Sequence, residues 1–223
     1  MQLTLQSIPL TETLRYALVA KAPDPLPDTL AASAKEACQA LLPVCQPRYT
    51  YLVRPTQPLL EGLLSGDDIR RHLQGCEQCV LFGATLGPQA DALIRRAQVD
   101  DMAKAFWLDA AASAAIEEVC DEVQRQIALE LECALTARFS CGYGDLPLVI
   151  QPQFLSLLDA GRKIGLSAST SGMLTPIKSV TAVIGILPPG TDAPKARPAC
   201  AICPLSKTCP LKRKGVFCGI HSD

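Results

Sequence analysis

The sequence predicts an α+β fold in which a mixed or antiparallel sheet packs with long helices, followed by a small metal-binding tail. Helical and strand patterns follow one another without the regular alternation that builds a doubly wound parallel sheet. The longest helical pattern covers residues 99–131 and, if unbroken, would measure about 50 Å at 1.5 Å per residue. A proline-containing stretch then separates residues 1–189, the expected main domain, from the cysteine-rich residues 190–223.

Length, charge and composition exclude several classes of protein. The 223 residues suffice for one substantial core with an appendage, and the net charge of −1 argues against a general nucleic-acid binder. The first ten residues lack the basic start and apolar stretch of a signal peptide, and no apolar run approaches the roughly 20 residues that span a bilayer. We therefore expect a globular cytoplasmic protein that binds neither nucleic acid nor membrane. In that compartment the 11 cysteines predict metal binding or buried thiols rather than disulfides.

The first half of the chain predicts three helices and two strands, after which Gly87 and Pro88 end the second strand and start a further helix. In order we expect an extended start (residues 3–8), two helices (11–19 and 28–43), a strand (48–53), a short helix (65–73) and a buried strand (79–86). Thr11 and Ser65 are the expected capping residues of the first and third helices. Cys76 and Cys79 form a C-x2-C pair that could bind a metal or act in redox chemistry. Because no complementary pair lies nearby, we expect Cys79 to enter the sheet instead.

The second half contains the long helix and the last strand. Apolar residues of the long helix repeat at intervals of three and four, at Val99, Met102, Ala103, Phe106, Ala110, Ile116, Val119, Cys120, Val123 and Ile127. Its alanine-rich middle, residues 110–115, would let another helix lie close. Beyond it we expect an extended piece (residues 148–150), a helix (152–164), a polar loop (167–172) and a strand (178–187).

The candidate functional site follows the long helix, where residues 132–150 read E-C-A-L-T-A-R-F-S-C-G-Y-G-D-L-P-L-V-I. Glu132, Arg138 and Tyr143 accompany Gly142 and Gly144, which can take positive φ or let a backbone approach a ligand closely. Arginine is the side chain best shaped to hold a carboxylate by two parallel hydrogen bonds. From the residues alone, this stretch is either a ligand-binding turn or a helix C-terminus with a glycine cap and a tight turn.

The pattern E-x5-R-x3-G-Y, followed by P-L and a helix, resembles the activation domain of cobalamin-dependent methionine synthase. Further similar segments are L-R-Y at residues 14–16, A-T-L-G at 84–87, the helix around 101–106 and G-L-S-A-S-T-S-G-M-L-T-P-I-K-S-V at 165–180. The shared order of these segments spans residues 10–187. The resemblance implies the fold of that domain and binding of S-adenosylmethionine (AdoMet).

The resemblance also implies roles for individual residues. Arg138 would hold the AdoMet carboxylate, Glu132 would lie near the sulfonium or the cobalamin face, and Tyr143 would close the pocket near the transferring methyl group. Backbone groups from Phe139 through Cys141 to Gly142 would meet the amino-acid or adenine part of the ligand. Cys141 stands where the family has proline, so this chain departs from the family pattern at that position.

By the same resemblance, the chain would reactivate a corrinoid methyltransferase by supporting reductive methylation of cob(II)alamin. The cobalamin would belong to a separate partner, methionine synthase or a related corrinoid protein, because this chain has no D-x-H-x-x-G segment. A low-potential donor such as flavodoxin or ferredoxin would supply the electron. Two alternatives remain: a non-catalytic module that binds AdoMet or cobalamin and carries a structural zinc tail, and another AdoMet-dependent methyltransferase on the same fold.

The tail carries a second signal, which is independent of this resemblance. Cys200, Cys203, Cys209 and Cys218 are spaced C-x2-C-x5-C-x8-C, and a metal could supply the folding energy that so short a segment lacks. Two Cys-Pro pairs favour an iron–sulfur cluster, [4Fe–4S] by the number of thiolates, over zinc. Four basic residues would offset the cluster's negative charge: Lys207, Lys212, Arg213 and Lys214. The remaining alternative is a disordered tail with chance cysteines.

Overall fold

In the computed structural model, which describes residues 1–18 and 27–191, a three-stranded antiparallel sheet lies between two groups of helices. The strand order is β1-β2-β5, and a separate two-stranded ribbon is formed by β3 and β4. The strands are β1 (Arg48–Pro55), β2 (Gln78–Thr85), β3 (Ser167–Ala168), β4 (Leu174–Thr175) and β5 (Ser179–Ile186). The predicted α+β class with an antiparallel sheet is confirmed.

β2 is the central strand and is buried on both faces, which explains its unbroken apolar run. Val80 and Phe82 face one group of helices, whereas Cys79 and Leu81 face the other, as alternate positions of a strand do. The prediction that Cys79 enters the sheet is therefore confirmed. Burial raises the pKa of its thiol to about 11, so the thiol is neutral near pH 7.

The two groups of helices cover opposite faces of the sheet. The helices are α1 (Leu10–Leu18), α2 (Asp28–Leu41), α3 (Thr56–Glu61), α4 (Asp67–His72), α5 (Pro88–Asp100), α6 (Met102–Glu130), α7 (Gln151–Leu158) and α8 (Ala160–Ile164). α1, α2, α5 and α6 pack on one face, and α3, α4, α7 and α8 pack on the other. None of these described helices is long and apolar enough to cross a membrane.

The helical pattern over residues 99–131 is interrupted near its start, because Val99 and Asp100 end α5 and α6 begins at Met102. The break falls at Asp101, whose carboxylate accepts a hydrogen bond from the backbone N–H of Lys104 at 3.0 Å and so caps α6. Val99 is 86% exposed at the end of α5, and Met102 and Phe106 are also exposed, so the predicted apolar repeat does not hold at its start. The alanine-rich middle of α6 is largely buried, and α1 and α2 pack against this helix.

The two predicted capping residues do not cap helices. α1 begins one residue earlier, at Leu10, so Thr11 lies within it. α4 follows Gly66 rather than Ser65, and its first N–H groups are capped by the carboxylate of Asp145. A cap supplied by a residue 78 positions away cannot be recognised from local spacing.

Three further differences from prediction concern short elements. The structure contains α3, which the sequence analysis did not predict, and residues 148–150 form a 3-10 turn instead of an extended piece. The helix predicted over residues 152–164 is divided at Asp159, which takes a left-handed conformation with φ of 53°. The last predicted strand is confirmed as β5.

Candidate functional site

After α6 ends at Glu130, residues 131–147 run along the open edge of β5; we call them the crossing segment. Four backbone hydrogen bonds attach it: Thr136 N to Gly185 O at 2.9 Å, Phe139 N to Val183 O at 2.9 Å, Val183 N to Phe139 O at 2.8 Å, and Leu187 N to Ala134 O at 2.9 Å. The crossing segment therefore covers this edge of the sheet as an irregular fourth strand.

The crossing segment contains a β-bulge. Leu135 is opposite Ile186 and Phe139 is opposite Val183, so four steps along the segment match only three along β5. In a regular strand, residues four apart share a face, but here Leu135 packs into the core beside α6 whereas Phe139 packs into the core on the other face. The extra residue changes the alternation, and Arg138 consequently contacts α6.

Thr136 stands at the start of the bulge and is buried. Its Oγ1 accepts a hydrogen bond from the backbone N–H of Gly185 at 2.8 Å. In a regular antiparallel ladder a backbone carbonyl would accept this hydrogen bond. Its own carbonyl instead accepts from Nε2 of Gln124 on α6 at 3.0 Å. The same Oγ1 lies 3.0 Å from Nε2 of His72 at the end of α4. One threonine thus connects β5, α6 and α4.

Arg138 packs its guanidinium against the middle of α6. Its Nη2 lies 2.8 Å from Oε2 of Glu117 and 2.7 Å from Oδ1 of Asp121, and its Nη1 donates to Oε1 of Gln124 at 3.0 Å. The three partners stand at positions i, i+4 and i+7 of the helix, so they share one face. We call Arg138, Glu117 and Asp121 the charged triad.

The charged triad is partly open to solvent and carries a net negative charge. The Arg138 side chain is only 18% exposed, but the carboxylates of Glu117 and Asp121 are 40% and 41% exposed. Burial acts to lower the pKa of Arg138, whereas Cys120, Asp121 and Glu117 act to raise it, and the net effect is a rise. One cation faces two carboxylates, which leaves a formal charge of −1 next to the bulge.

The turn after the bulge places Tyr143 on the surface. Tyr143 is 61% exposed, and its ring lies edge-on to Phe139 with 6.3 Å between centroids. Phe139 in turn contacts the His72 ring at 5.1 Å, so a row of aromatic rings leads from the interior to Tyr143. Cys141 is buried, and burial raises the pKa of its thiol to about 11, so the thiol is neutral near pH 7.

Gly142 and Gly144 both have positive φ, at 88° and 54°, as expected from the sequence. The close approach that Gly144 permits is to α4: a Cβ atom there would collide with the carboxylate of Asp68. Asp145 accepts hydrogen bonds from the N–H groups of Asp67 and Asp68 at 2.6 and 3.1 Å, and Asp68 accepts from Asp145 N at 3.2 Å. This reciprocal capping fastens the turn to the start of α4.

Glu132 lies at a different place from Arg138. It is exposed just beyond α6, with a left-handed φ of 49° that is uncommon for a residue with a side chain of this size. Among the α6 residues that Arg138 contacts, Gln124 is the nearest to the C-terminal end of the helix. About 9 Å of helix separate Gln124 from Glu130, where α6 ends. The two charged residues of the pattern E-x5-R therefore lie apart: Glu132 lies just beyond the end of α6, and Arg138 lies against its middle.

Five residues of the candidate site were not predicted from the sequence: Glu117, Asp121, Gln124, Thr136 and His72. The first three are polar residues at positions i, i+4 and i+7 of an alanine-rich helix. This polar face is the one sequence signal that could have indicated them. Nothing in the sequence pairs them with Arg138. The predicted metal ligands Cys200, Cys203, Cys209 and Cys218 lie outside the described residues. Within residues 1–18 and 27–191, no group of three or more His, Cys, Asp or Glu side chains could hold a metal ion.

Comparison with solved structures identifies the fold. One structure that this chain resembles is the MetH reactivation domain bound to AdoHcy, with a TM-score of 0.56, 15% sequence identity, and coverage of 85% of this chain and 73% of that chain. No family model and no curated protein matches the sequence. The chain therefore has the α+β fold of the methionine synthase reactivation domain, which confirms the fold that the sequence resemblance implied.

Proposed function

We propose that this chain binds AdoMet between the crossing segment and the exposed face of α6, and that it reactivates a corrinoid methyltransferase. The observation that carries the proposal is the charged triad, a half-exposed arginine–carboxylate cluster next to the R-x3-G-Y turn. It lies in a fold whose solved relative was determined with AdoHcy bound.

The charged triad fits the amino-acid end of AdoMet chemically. A guanidinium binds a carboxylate by parallel hydrogen bonds, and exposed carboxylates attract an ammonium or sulfonium group. The triad has a formal charge of −1 and AdoMet has a net charge of +1, so the two are complementary. Because Nη2 of Arg138 already contacts Glu117 and Asp121, a ligand carboxylate would share or replace these contacts. The freed carboxylates would then bind the ligand's ammonium group.

The other predicted residues have supporting roles in this proposal. Tyr143 would cover the methyl end of the ligand, with the Phe139 ring holding it from behind. The backbone of Cys141 and Gly142 would meet the remainder of the ligand. Glu132, at the end of α6, would favour the positive sulfonium or face the cobalamin. When bound, AdoMet would supply the methyl group to a cob(II)alamin that has gained one electron from the donor, and AdoHcy would be released. The protein's task is orientation and exclusion of water, which needs no general acid or base.

The cobalamin would belong to a separate corrinoid protein in the cytoplasm, methionine synthase or a relative, with flavodoxin or ferredoxin as electron donor. Cys200, Cys203, Cys209 and Cys218 would bind a [4Fe–4S] cluster that relays the electron, with zinc as the alternative. The experiment that tests turnover supplies a cob(II) corrinoid protein, a low-potential reductant and AdoMet. This chain should speed the appearance of methylcobalamin. An equal rate without the chain across several corrinoid partners would favour the non-catalytic binding module.

A further inference from the structure

The position of Arg138 depends on the β-bulge in the crossing segment. Leu135 packs beside α6, and without the extra residue Arg138, three positions later, would point to the opposite face of the sheet. Phe139 would then occupy the α6 side in its place. Whatever holds the bulge in position therefore determines whether Arg138 reaches Glu117 and Asp121.

Backbone hydrogen bonds attach the segment on both sides of the bulge, but at the bulge itself the hydroxyl of Thr136 replaces a backbone carbonyl as the acceptor. That hydroxyl is the acceptor for Gly185 N at 2.8 Å, and it lies 3.0 Å from His72 Nε2 and 3.1 Å from the carbonyl oxygen of Ala137. A hydroxyl has one hydrogen and two acceptor sites, so these three neighbours use its full capacity. Because the hydroxyl accepts from Gly185 N, the Thr136 carbonyl is able to accept from Nε2 of Gln124. Oε1 of the same Gln124 amide accepts from Arg138.

We propose that Thr136, supported by His72, is a positioning residue that holds Arg138 in its ligand-binding orientation. This inference rests on the proposed function, since it gives the orientation of Arg138 its purpose. Valine has nearly the same shape as threonine but lacks the hydroxyl. Replacing Thr136 by valine would remove the acceptor of the Gly185 N–H and the contact with His72, and would favour a regular strand.

The experiment compares three threonine variants by calorimetric titration with AdoHcy at pH 7. Thr136→Val should lose at least about tenfold in affinity, because the buried Gly185 N–H is left without its partner and the bulge is no longer fixed. Thr136→Ser keeps the hydroxyl and should retain most of the affinity. Thr56→Val is the matched control, since Thr56 is also buried and its hydroxyl has no hydrogen-bond partner of good geometry. It should bind like the parent protein.

Equal affinity of Thr136→Val and the parent protein would overturn the inference, as would a loss of affinity in Thr136→Ser as large as that in Thr136→Val. If Thr136→Val does not fold, His72→Phe replaces it, since this variant keeps an aromatic ring against Phe139 but loses Nε2. His72→Phe should bind AdoHcy several-fold more weakly than the parent protein, and unchanged affinity would overturn the inference.

Failure of the proposed function is distinguishable from failure of this inference. If the parent protein binds neither AdoHcy nor AdoMet, the proposed function is wrong, and crystal structures of the parent and variant proteins then decide the inference. Loss of the 2.8 Å contact between Arg138 and Glu117 in Thr136→Val, or in His72→Phe, would support the positioning role. An unchanged Arg138 in the variant would contradict it.

Discussion

The guanidinium of Arg138 and the carboxylate of Glu117, 21 residues apart, meet with 2.8 Å between Nη2 and Oε2. This contact and its neighbour to Asp121 attach the crossing segment to the middle of α6. The family resemblance implies that Arg138 holds the carboxylate of a ligand, whereas in the structure it already holds two carboxylates of the protein. Binding of an amino-acid ligand would therefore be an exchange of partners.

The first prediction concerns the stability that the charged triad contributes. Glu117→Gln should lower the free energy of unfolding by about 1 kcal/mol, because the triad is half exposed and Arg138 keeps Asp121 as a partner. Urea unfolding of the variant measures the change. Glu118→Gln, one position along α6, is the matched control and should change the free energy by no more than about 0.5 kcal/mol. Equal effects of the two substitutions would contradict the importance of the Arg138–Glu117 contact.

The second prediction concerns the turn that docks onto α4. Gly144→Ala should destabilise the protein by about 2–4 kcal/mol, because φ is positive and the new Cβ would collide with Asp68. Gly75→Ala is the control, since Gly75 also has positive φ but has no atom within 4 Å of the added Cβ. It should cost only about 1 kcal/mol. If urea unfolding gives the same loss for both variants, the reciprocal capping between Asp68 and Asp145 does not require a glycine.

The third prediction concerns pH. Burial lowers the pKa of His72 in the folded protein, although a hydrogen bond to the Ala137 backbone acts in the opposite direction. The unfolded chain therefore binds more protons than the folded chain between the folded pKa and the unfolded value of 6.5, and stability rises with pH in that window. The free energy of unfolding should fall as pH drops below about 6.5, and His72→Gln should flatten this dependence. The same slope in His72→Gln as in the parent protein would show that another group titrates.

The sequence predicted secondary-structure elements best where burial of apolar residues alone determines the pattern. A continuous apolar run identified β2, valine and isoleucine residues identified β5, and helical spacing identified most of α6, because burial between layers of helices favours these patterns. The glycines of the turn were expected either to have positive φ or to let the backbone approach a ligand, and both have positive φ. The sequence could not show that Gly144 makes room for Asp68, since that contact joins positions far apart along the chain.

The arrangement of the site depends on tertiary contacts that local patterns do not encode. The bulge at Thr136 changes the alternation by one residue, and only the pairing with Val183 and Ile186 reveals it. Likewise, the break at Asp101 is set by one capping carboxylate within a pattern that otherwise continues. The family resemblance names Arg138 and Tyr143 as site residues, which stays a prediction, and their contacts with Glu117, Asp121 and Phe139 could not be predicted from the sequence.

The fourth prediction concerns the tail. Anaerobically purified protein should be brown, with about four iron atoms per chain if Cys200, Cys203, Cys209 and Cys218 bind a [4Fe–4S] cluster. Cys209→Ser should greatly reduce the iron content, whereas Cys45→Ser, which changes a thiol whose pKa burial raises to about 11, should leave it unchanged. Metal analysis that finds one zinc and no iron would exclude the electron-relay role. Brown colour that persists after truncation at Pro189 would point to ligands upstream of the tail.

The most direct measurement of the central claim is calorimetric titration of AdoMet into the parent protein and two arginine variants. Arg138→Ala should weaken binding by about 2–5 kcal/mol, since it removes the cation that would hold the ligand's carboxylate in a largely buried position. Arg162→Ala is the matched control, because Arg162 is an exposed arginine of α8, on the other face of the sheet, and is paired with Asp159. It should bind AdoMet like the parent protein. Absence of AdoMet binding by the parent protein, or equal affinity of Arg138→Ala and Arg162→Ala, would contradict the claim.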